Sequence, residues 1–340
     1  MKPISITCPA ILGIFAVGVM NLAQASDVAT PVAMPDFVKS QVNEVQLPAH
    51  RQLAVASGDL KQSARAFCAA PDSAGFAQLQ AQYLNTLKVW RMIEVAPMGP
   101  TSDSNIGRIM AGVPPSHAQL EPLIAQLPEH LEKFADGQAD EEASKLPDWG
   151  IGMKVISTML YGDKPEGSIE RLRDANHCSY LIWQSQVLSF NADNLVRSWQ
   201  GIRQGLPYDM SYPRAFLSEY LNRIAQGARE IARDKVGLNQ PQWLDQREGA
   251  TVASLRANVA GLRAMLTGNQ GAGLDDYMGS RGDQAMWQKV ETALVKLEAA
   301  LPTSDKNLTP KAGKKIASAA NALADVLAKD IATLIKVRVK

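Results

Sequence analysis

The spacing of apolar residues constrains this chain most, because they recur at steps of three and four along nearly every long segment. Phe76, Leu79, Tyr83, Leu87 and Trp90 keep that rhythm, so they share one face of a helix that Pro97 and Pro100 must end. Leu172, Asn176, Tyr180, Trp183, Val187 and Phe190 form a stripe in a segment read as one helix from about Ser168 to Trp199. A second stripe through Leu181, Leu188, Leu195 and Trp199 shares that segment, which predicts a central helix with neighbours on two sides. Ser211 reads as a cap with Pro213 in the first turn, ahead of Phe216, Tyr220 and Ile224. Val252, Leu255, Val259, Leu262 and Leu266 run into Gly268, a natural C-terminal stop. Met286, Val290, Leu294, Leu297 and Leu301 end before Pro302, and Thr309-Pro310 opens a last helix through Ile316, Ala320, Leu323, Leu327 and Ile331. No comparable run alternates with period two, and no Asn-Gly hairpin signal separates β-rich runs. The chain therefore reads as all-α, with up-and-down helices in two packed bundles.

The N-terminus carries an export signal. Lys2 precedes an apolar run from Ile4 to Ala23, which closes on Ala23-Gln24-Ala25 before Ser26, the small-x-small pattern of a signal peptidase site. A membrane anchor is the alternative, but Pro9, Gly13, Gly18 and Asn21 interrupt the run. A lipoprotein is another, but Cys8 lies too early and lacks a small residue before it. The expected organisation is a signal peptide over 1–25, a loose lead-in over 26–47 marked by Pro31, Pro35 and Pro48, an N-terminal bundle over 48–203 and a C-terminal bundle over 204–340. The glycines and proline of 200–210 mark the boundary. An irregular, proline-rich insertion at about 99–148 is expected over a surface or cleft. After cleavage roughly 315 residues remain, enough for a substantial core. The mature protein is expected in the periplasm, with no stable membrane span.

Lys plus Arg (35) nearly balance Asp plus Glu (34), so no net field favours nucleic acid or an anionic membrane. The basic tail at Lys336, Arg338 and Lys340 reads as the solvated end of a helix. Cys68 and Cys178 are the cysteines left in a compartment that oxidises thiols. A bridge between them would close a loop of about 110 residues, where loop entropy is worth roughly 4–5 kcal/mol. Two separate buried thiols are the alternative.

Motifs of common enzymes are missing: no HExxH, GxSxG, Walker loop or dinucleotide fingerprint occurs. Of the four histidines, His117 stands four residues before Glu121, a workable spacing for two metal ligands on one helix face, although a polar surface pair is the commoner meaning. His177 adjoins Cys178, but neighbours on a helix point about 100° apart and do not chelate together.

Two longer stretches carry a family resemblance. Ala64–Pro100 has a Cys-Ala before a turn, a helix ending in tryptophan and a Gly-Pro a few residues later; Arg108 follows, leading into Ile-Met-Ala-Gly-Val-Pro. Gln246–Met278 has an arginine-glycine turn, then an Asn-containing helix ending in a Gly-rich loop. Both resemble segments of imelysin-like proteins, in the family's order. The family signature Gly-x-His-x-x-Glu aligns with Gly152–Ser157, just ahead of Met-Leu-Tyr-Gly. Gly152 is kept, whereas Lys154 stands in the histidine position and Ser157 in the glutamate position. A His and a Glu at i and i+3 share a helix face and can both bind a divalent ion. Lysine brings a positive charge and serine only a weak neutral oxygen, so a cation meets repulsion there.

The resemblance implies a periplasmic binding or accessory protein, linked to iron or other metal uptake. The altered signature argues against its alternative, a metallopeptidase. A structural helical domain acting through a protein partner is a third reading. No catalytic residue, metal ligand or cofactor is assigned. The expected partner is a metal-uptake component or a small anionic ligand, with Lys154 either paired to an Asp or Glu or serving an anion. Trp90, Gly99, Pro100, Arg108, Arg247 and Asn258 are expected to face a cleft containing Lys154, the arginines because a buried guanidinium needs a carboxylate or anionic ligand; Trp90 also fits plain core packing.

Overall fold

The structure is a computed structural model that describes residues 31–334, apart from 105, 111–113, 129–130, 134–137, 139–140, 143 and 240–241. The proposed signal peptide, His130 and the basic tail at Lys336, Arg338 and Lys340 lie outside the described residues. The principal helices are α1 (Met34–Ser40), α2 (Leu47–Ala69), α3 (Ser73–Glu94), α4 (Met153–Tyr161), α5 (Ala175–Gly205), α6 (Tyr212–Asp234), α7 (Thr251–Thr267), α8 (Gln284–Ala300) and α9 (Pro310–Asp325). Among the described residues the only extended pairing is an isolated bridge between Val236 and Trp243. The fold is all-α. No described helix is long and apolar enough to cross a membrane.

Helix ends follow local chemistry. Thr309 caps α9 by accepting from the Ala312 amide, with Pro310 in the first turn. Gly268 closes α7 in the left-handed region at φ 71°. Two ends differ from the sequence reading. The stripe through Leu172 and Asn176 is not one helix: a separate helix Pro165–Leu172 stops, and the Asp174 carboxylate caps α5 by accepting from the Asn176 and His177 amides. Ser211 does not cap α6 through its side chain. Asp209 does that work, its Oδ1 accepting from the Ser211 amide and hydroxyl and the Tyr212 amide.

Two sets of buried side chains make up the interior. One draws on α2, α3, α4 and α5 and includes Leu53, Tyr83, Trp90, Ile156 and Trp183. The other gathers Phe216, Tyr220, Leu262, Leu294 and Leu323 from the second half. The described part of the expected lead-in is not loose from residue 34 onward. From Met34 it forms α1, then a π turn at Gln41–Gln46 that runs straight into α2. Pro35 falls in the first turn of α1, where its missing N–H costs nothing. Phe37 meets Tyr220 and Tyr277 with ring centroids 5.3 Å apart in both cases, so α1 is a layer of the second-half core. Cys68 at the end of α2 and Cys178 in the first turn of α5 are joined in a disulfide, with Cα atoms 5.7 Å apart.

Candidate functional site

The segment that aligns with the family signature starts α4. Gly152 precedes the helix at φ 90°, and a Cβ there would sit 1.7 Å from the Ile109 carbonyl oxygen, so no other residue fits. Its amide donates to Gln184 Oε1 at 2.6 Å, while Gln184 Nε2 donates to the Gly150 carbonyl at 3.0 Å. The start of α4 is thereby fixed to the central helix α5. Lys154 and Ser157, three residues apart, then point from one face of α4 toward the turn 243–250 that leads into α7.

Lys154 Nζ donates to Asp245 Oδ1 at 3.2 Å. Asp245 is fully buried, at φ 51°, a left-handed conformation that aspartate tolerates better than most residues. Its main partner is Arg91, whose Nε and Nη2 donate to the two carboxylate oxygens at 2.8 and 2.7 Å, a bidentate pair. Arg91 Nη1 also reaches Glu94 at 2.7 Å, and Glu94 accepts from Lys235 at 2.6 Å. Asn258 ties this second half together: its Oδ1 accepts from Lys235 at 3.1 Å and its Nδ2 donates to the Arg91 carbonyl. Beside the ion pairs, the Ser157 and Tyr83 hydroxyls both donate to Glu248 Oε1.

Burial alone would neutralise these carboxylates, yet the cations outweigh it. Arg91 and then Lys154 hold Asp245 below the usual carboxylate range. Arg91 and Lys235 bring Glu94 down to about 2. Burial also opposes the Arg91 charge, but Glu94 and Asp245 overcome it and hold the guanidinium protonated. Burial, reinforced by Glu248 and Asp245, pushes the Tyr83 phenol up, so it stays a donor.

These residues do not fit a resident metal ion. A metal needs lone pairs free to bind, but Arg91 and Lys154 already occupy Asp245, and two hydroxyls share one oxygen of Glu248. Position 154 offers an ammonium and no lone pair. Among the described residues, no group of three or more His, Cys, Asp and Glu is placed to hold a metal ion. His117 and Glu121 take other partners: His117 lies 3.2 Å from Asp163, while Glu121 accepts from Arg171 and meets His177 Nε2 at 3.0 Å.

Of the six residues expected around one cleft, Arg247 and Asn258 lie at this site, whereas Trp90, Gly99 and Pro100 do not. Arg247 is exposed, but its Nη1 donates to Thr158 Oγ1 on α4 at 2.8 Å, and Asn258 is an integral part of the charged network. Trp90 is buried in the apolar core. Gly99 and Pro100 lie elsewhere, the Gly99 amide donating to Glu219 Oε1 at 3.1 Å, and a Cβ at Gly99 would lie 3.4 Å from the Trp199 ring. Arg108 falls in the short helix Ile106–Met110, and its side chain lies outside the described residues. The buried guanidinium of this site belongs to Arg91, immediately after Trp90. Arg91, Glu94, Lys235, Asp245 and Glu248 are the residues that sequence reasoning missed. Four of them carry a local signal, charged residues spaced i to i+3 in or next to the family-like stretches, Arg91 with Glu94 and Asp245 with Glu248; Lys235 carries none.

An all-helical chain with a glycine-started helix facing a polar turn ahead of an Asn-bearing helix matches the pattern read from the sequence. The family model described as Imelysin matches residues 46–333, and the chain belongs to the imelysin family. No curated protein matches it significantly. Among solved structures it is similar to an imelysin-like protein from Psychrobacter arcticum, with 16% identity over 92% of this chain and 99% of that one and a TM-score of 0.73. It is also similar to a protein from Parabacteroides distasonis described as an iron-regulated protein A precursor. That likeness has 15% identity over 88% of this chain and 95% of that one, with a TM-score of 0.70. At such identities the shared property is the fold.

Proposed function

We propose that the protein is a periplasmic, non-catalytic member of the imelysin family that serves as a binding or accessory component of iron or other metal uptake. The observation that carries the reading is the ion pair of Lys154 with Asp245, 3.2 Å apart at the family-motif position. The chain's own cations satisfy the carboxylate there. A metallopeptidase requires a Lewis-acidic ion to lower the pKa of bound water and stabilise the developing oxyanion, and this donor set does not supply its ligands. The link to iron draws on the family and on the description of the Parabacteroides distasonis protein as iron-regulated. Export draws on the N-terminal sequence and on the Cys68–Cys178 disulfide, a bond that persists in oxidising compartments. Of the two roles open to Lys154, pairing with a carboxylate is favoured over service to an anion, because its close partner is Asp245. Elemental analysis of protein purified from the periplasm tests the reading, together with a casein-hydrolysis assay. The expected outcome is substoichiometric metal and no turnover; stoichiometric metal with hydrolysis that a chelator abolishes would overturn it.

A further inference from the structure

The near balance of charge along the whole chain does not hold around the turn that joins α8 to α9. From Ala299 to Ala324 the sequence holds four lysines, Lys306, Lys311, Lys314 and Lys315, and one acid, Asp305. All four lysines are exposed. The acid does not answer them, because its two oxygens accept from the Thr251 and Val252 amides at 3.0 and 2.8 Å, at the start of α7. Among the described residues none of the four lysines enters an ion pair, and Lys315 Nζ donates to the Ala299 carbonyl at 3.2 Å. Exposed Arg256 joins them from α7, its Nη2 donating to the Pro302 carbonyl of the same turn at 3.0 Å.

Local stability does not account for this arrangement. Lys311 is the second residue of α9, at the helix end where the macrodipole is positive and favours acids, and the first turn holds none. Lysine and dipole therefore add to one positive potential. Lys311, Lys314 and Lys315, at i, i+3 and i+4, share an exposed face. Apolar surface lies beside it. Gly313 lets α9 press against the turn 236–243, since a Cβ there would sit 2.9 Å from the Val236 carbonyl oxygen, 3.3 Å from the Trp243 ring and 3.4 Å from Leu238 Cδ2. Leu238 is 37% exposed, and Trp243 is only partly buried. Cations grouped around an exposed leucine and a tryptophan match a bilayer interface, where anionic headgroups lie just outside the acyl boundary. Ammonium groups on flexible four-carbon stems suit a fluid array of headgroups better than one fixed ion.

We propose that this face, the start of α9 with the turn before it, docks the protein on the surface of a bilayer that contains anionic phospholipid. The proposal is independent of the reading of the motif site. Co-sedimentation of the mature chain with vesicles tests it. Binding is expected to vesicles of phosphatidylglycerol and phosphatidylethanolamine in equal parts at about 0.05 M salt, with loss at about 0.5 M, and none to phosphatidylcholine vesicles. Lys311→Gln together with Lys314→Gln should weaken binding about 25-fold, about fivefold for each lysine near an anionic surface. Lys61→Gln together with Lys88→Gln, on α2 and α3, changes the net charge equally and should leave binding nearly unchanged. Lys311→Glu should bind more weakly yet melt no lower than the parent, since an acid suits a helix start, which separates docking from folding. Absence of binding to the anionic vesicles overturns the proposal, as does equal binding to phosphatidylcholine. Equal losses in the two double variants would overturn it too, because net charge alone would then be at work. Tighter binding to heparin than to the anionic vesicles would overturn it in favour of a soluble polyanion.

Discussion

Asp245→Asn should destabilise the protein far more than Lys154→Met, although both break the same ion pair. Asp245 is fully buried and accepts three charged hydrogen bonds, two of them from Arg91 at 2.7 and 2.8 Å. Removing its charge strands a guanidinium whose side chain is 4% exposed. Breaking a buried pair from one side costs about 3–5 kcal/mol. Arg91 keeps Glu94 at 2.7 Å, which places the expected loss near the lower figure, about 3 kcal/mol. Lys154 is different: its side chain is 12% exposed, its single contact is 3.2 Å long, and Arg91 still neutralises Asp245 when it is gone. Methionine keeps most of the stem, so the expected loss is within about 1 kcal/mol. For a folded unit of around 300 residues the unfolding entropy is about 0.6 kcal/mol per degree, which turns the two losses into drops in Tm of about 5 °C and at most about 2 °C. Urea and thermal unfolding by circular dichroism, with the disulfide intact, measure both. Equal losses for the two variants would refute the reasoning, because Lys154 would then be the principal counter-ion. A loss below about 1 kcal/mol for Asp245→Asn would refute it as well.

Further predictions concern a buried histidine and the motif glycine. His50 Nδ1 lies 2.7 Å from the Gln46 carbonyl and must donate, so Nε2, 2.6 Å from Thr101 Oγ1, accepts, and the ring is neutral. Burial lowers its pKa to about 4 against the hydrogen bond to Gln46. The folded value lies below the unfolded one of 6.5, so its contribution is complete above pH 6.5 and is lost as pH falls toward 4, by up to about 3 kcal/mol. Unfolding free energies across that window should show the decline, and His50→Gln should flatten it; an unchanged slope would contradict the neutral assignment. Gly152→Ala drives a Cβ into the Ile109 carbonyl at a φ of 90° and should lower stability by more than about 3 kcal/mol or prevent folding. A variant that melts within a degree or two of the parent would show that the start of α4 is not as tightly enclosed.

The long stripes were legible because a helix that buries one face writes its period directly into the sequence, as from Phe76 to Trp90 and from Val252 to Leu266. Caps were legible where the residue type leaves one choice, as at Thr309 and Gly268. The break before α5 was not, because Asp174 ends a pattern that continues in phase through Leu172 and Asn176 without a proline or glycine. The first helix was hidden for the opposite reason. Pro31, Pro35 and Pro48 read as loop residues, yet Pro35 falls in a first turn and the π turn accommodates Pro48. At the candidate site, Gly152, Lys154 and Ser157 stood out by comparison with the family signature, and Asn258 by its place in a family-like helix. Arg91 and Asp245 did not, since a charged residue on a helix or turn defaults to solvent, and their pairing spans 154 positions. Spacing along the chain carries no trace of such a contact.

The central claim is that Lys154 and Ser157 replace a metal-binding pair with an internally satisfied network, and isothermal calorimetry with ferrous, ferric and zinc ions tests it most directly. The wild type should show no tight site, while the double substitution Lys154→His and Ser157→Glu should create one or strengthen any weak binding, by restoring two ligands three residues apart on α4. Stoichiometric metal binding by the wild type that Lys154→Ala leaves unchanged would contradict the account, because the ligands would then lie elsewhere in the molecule.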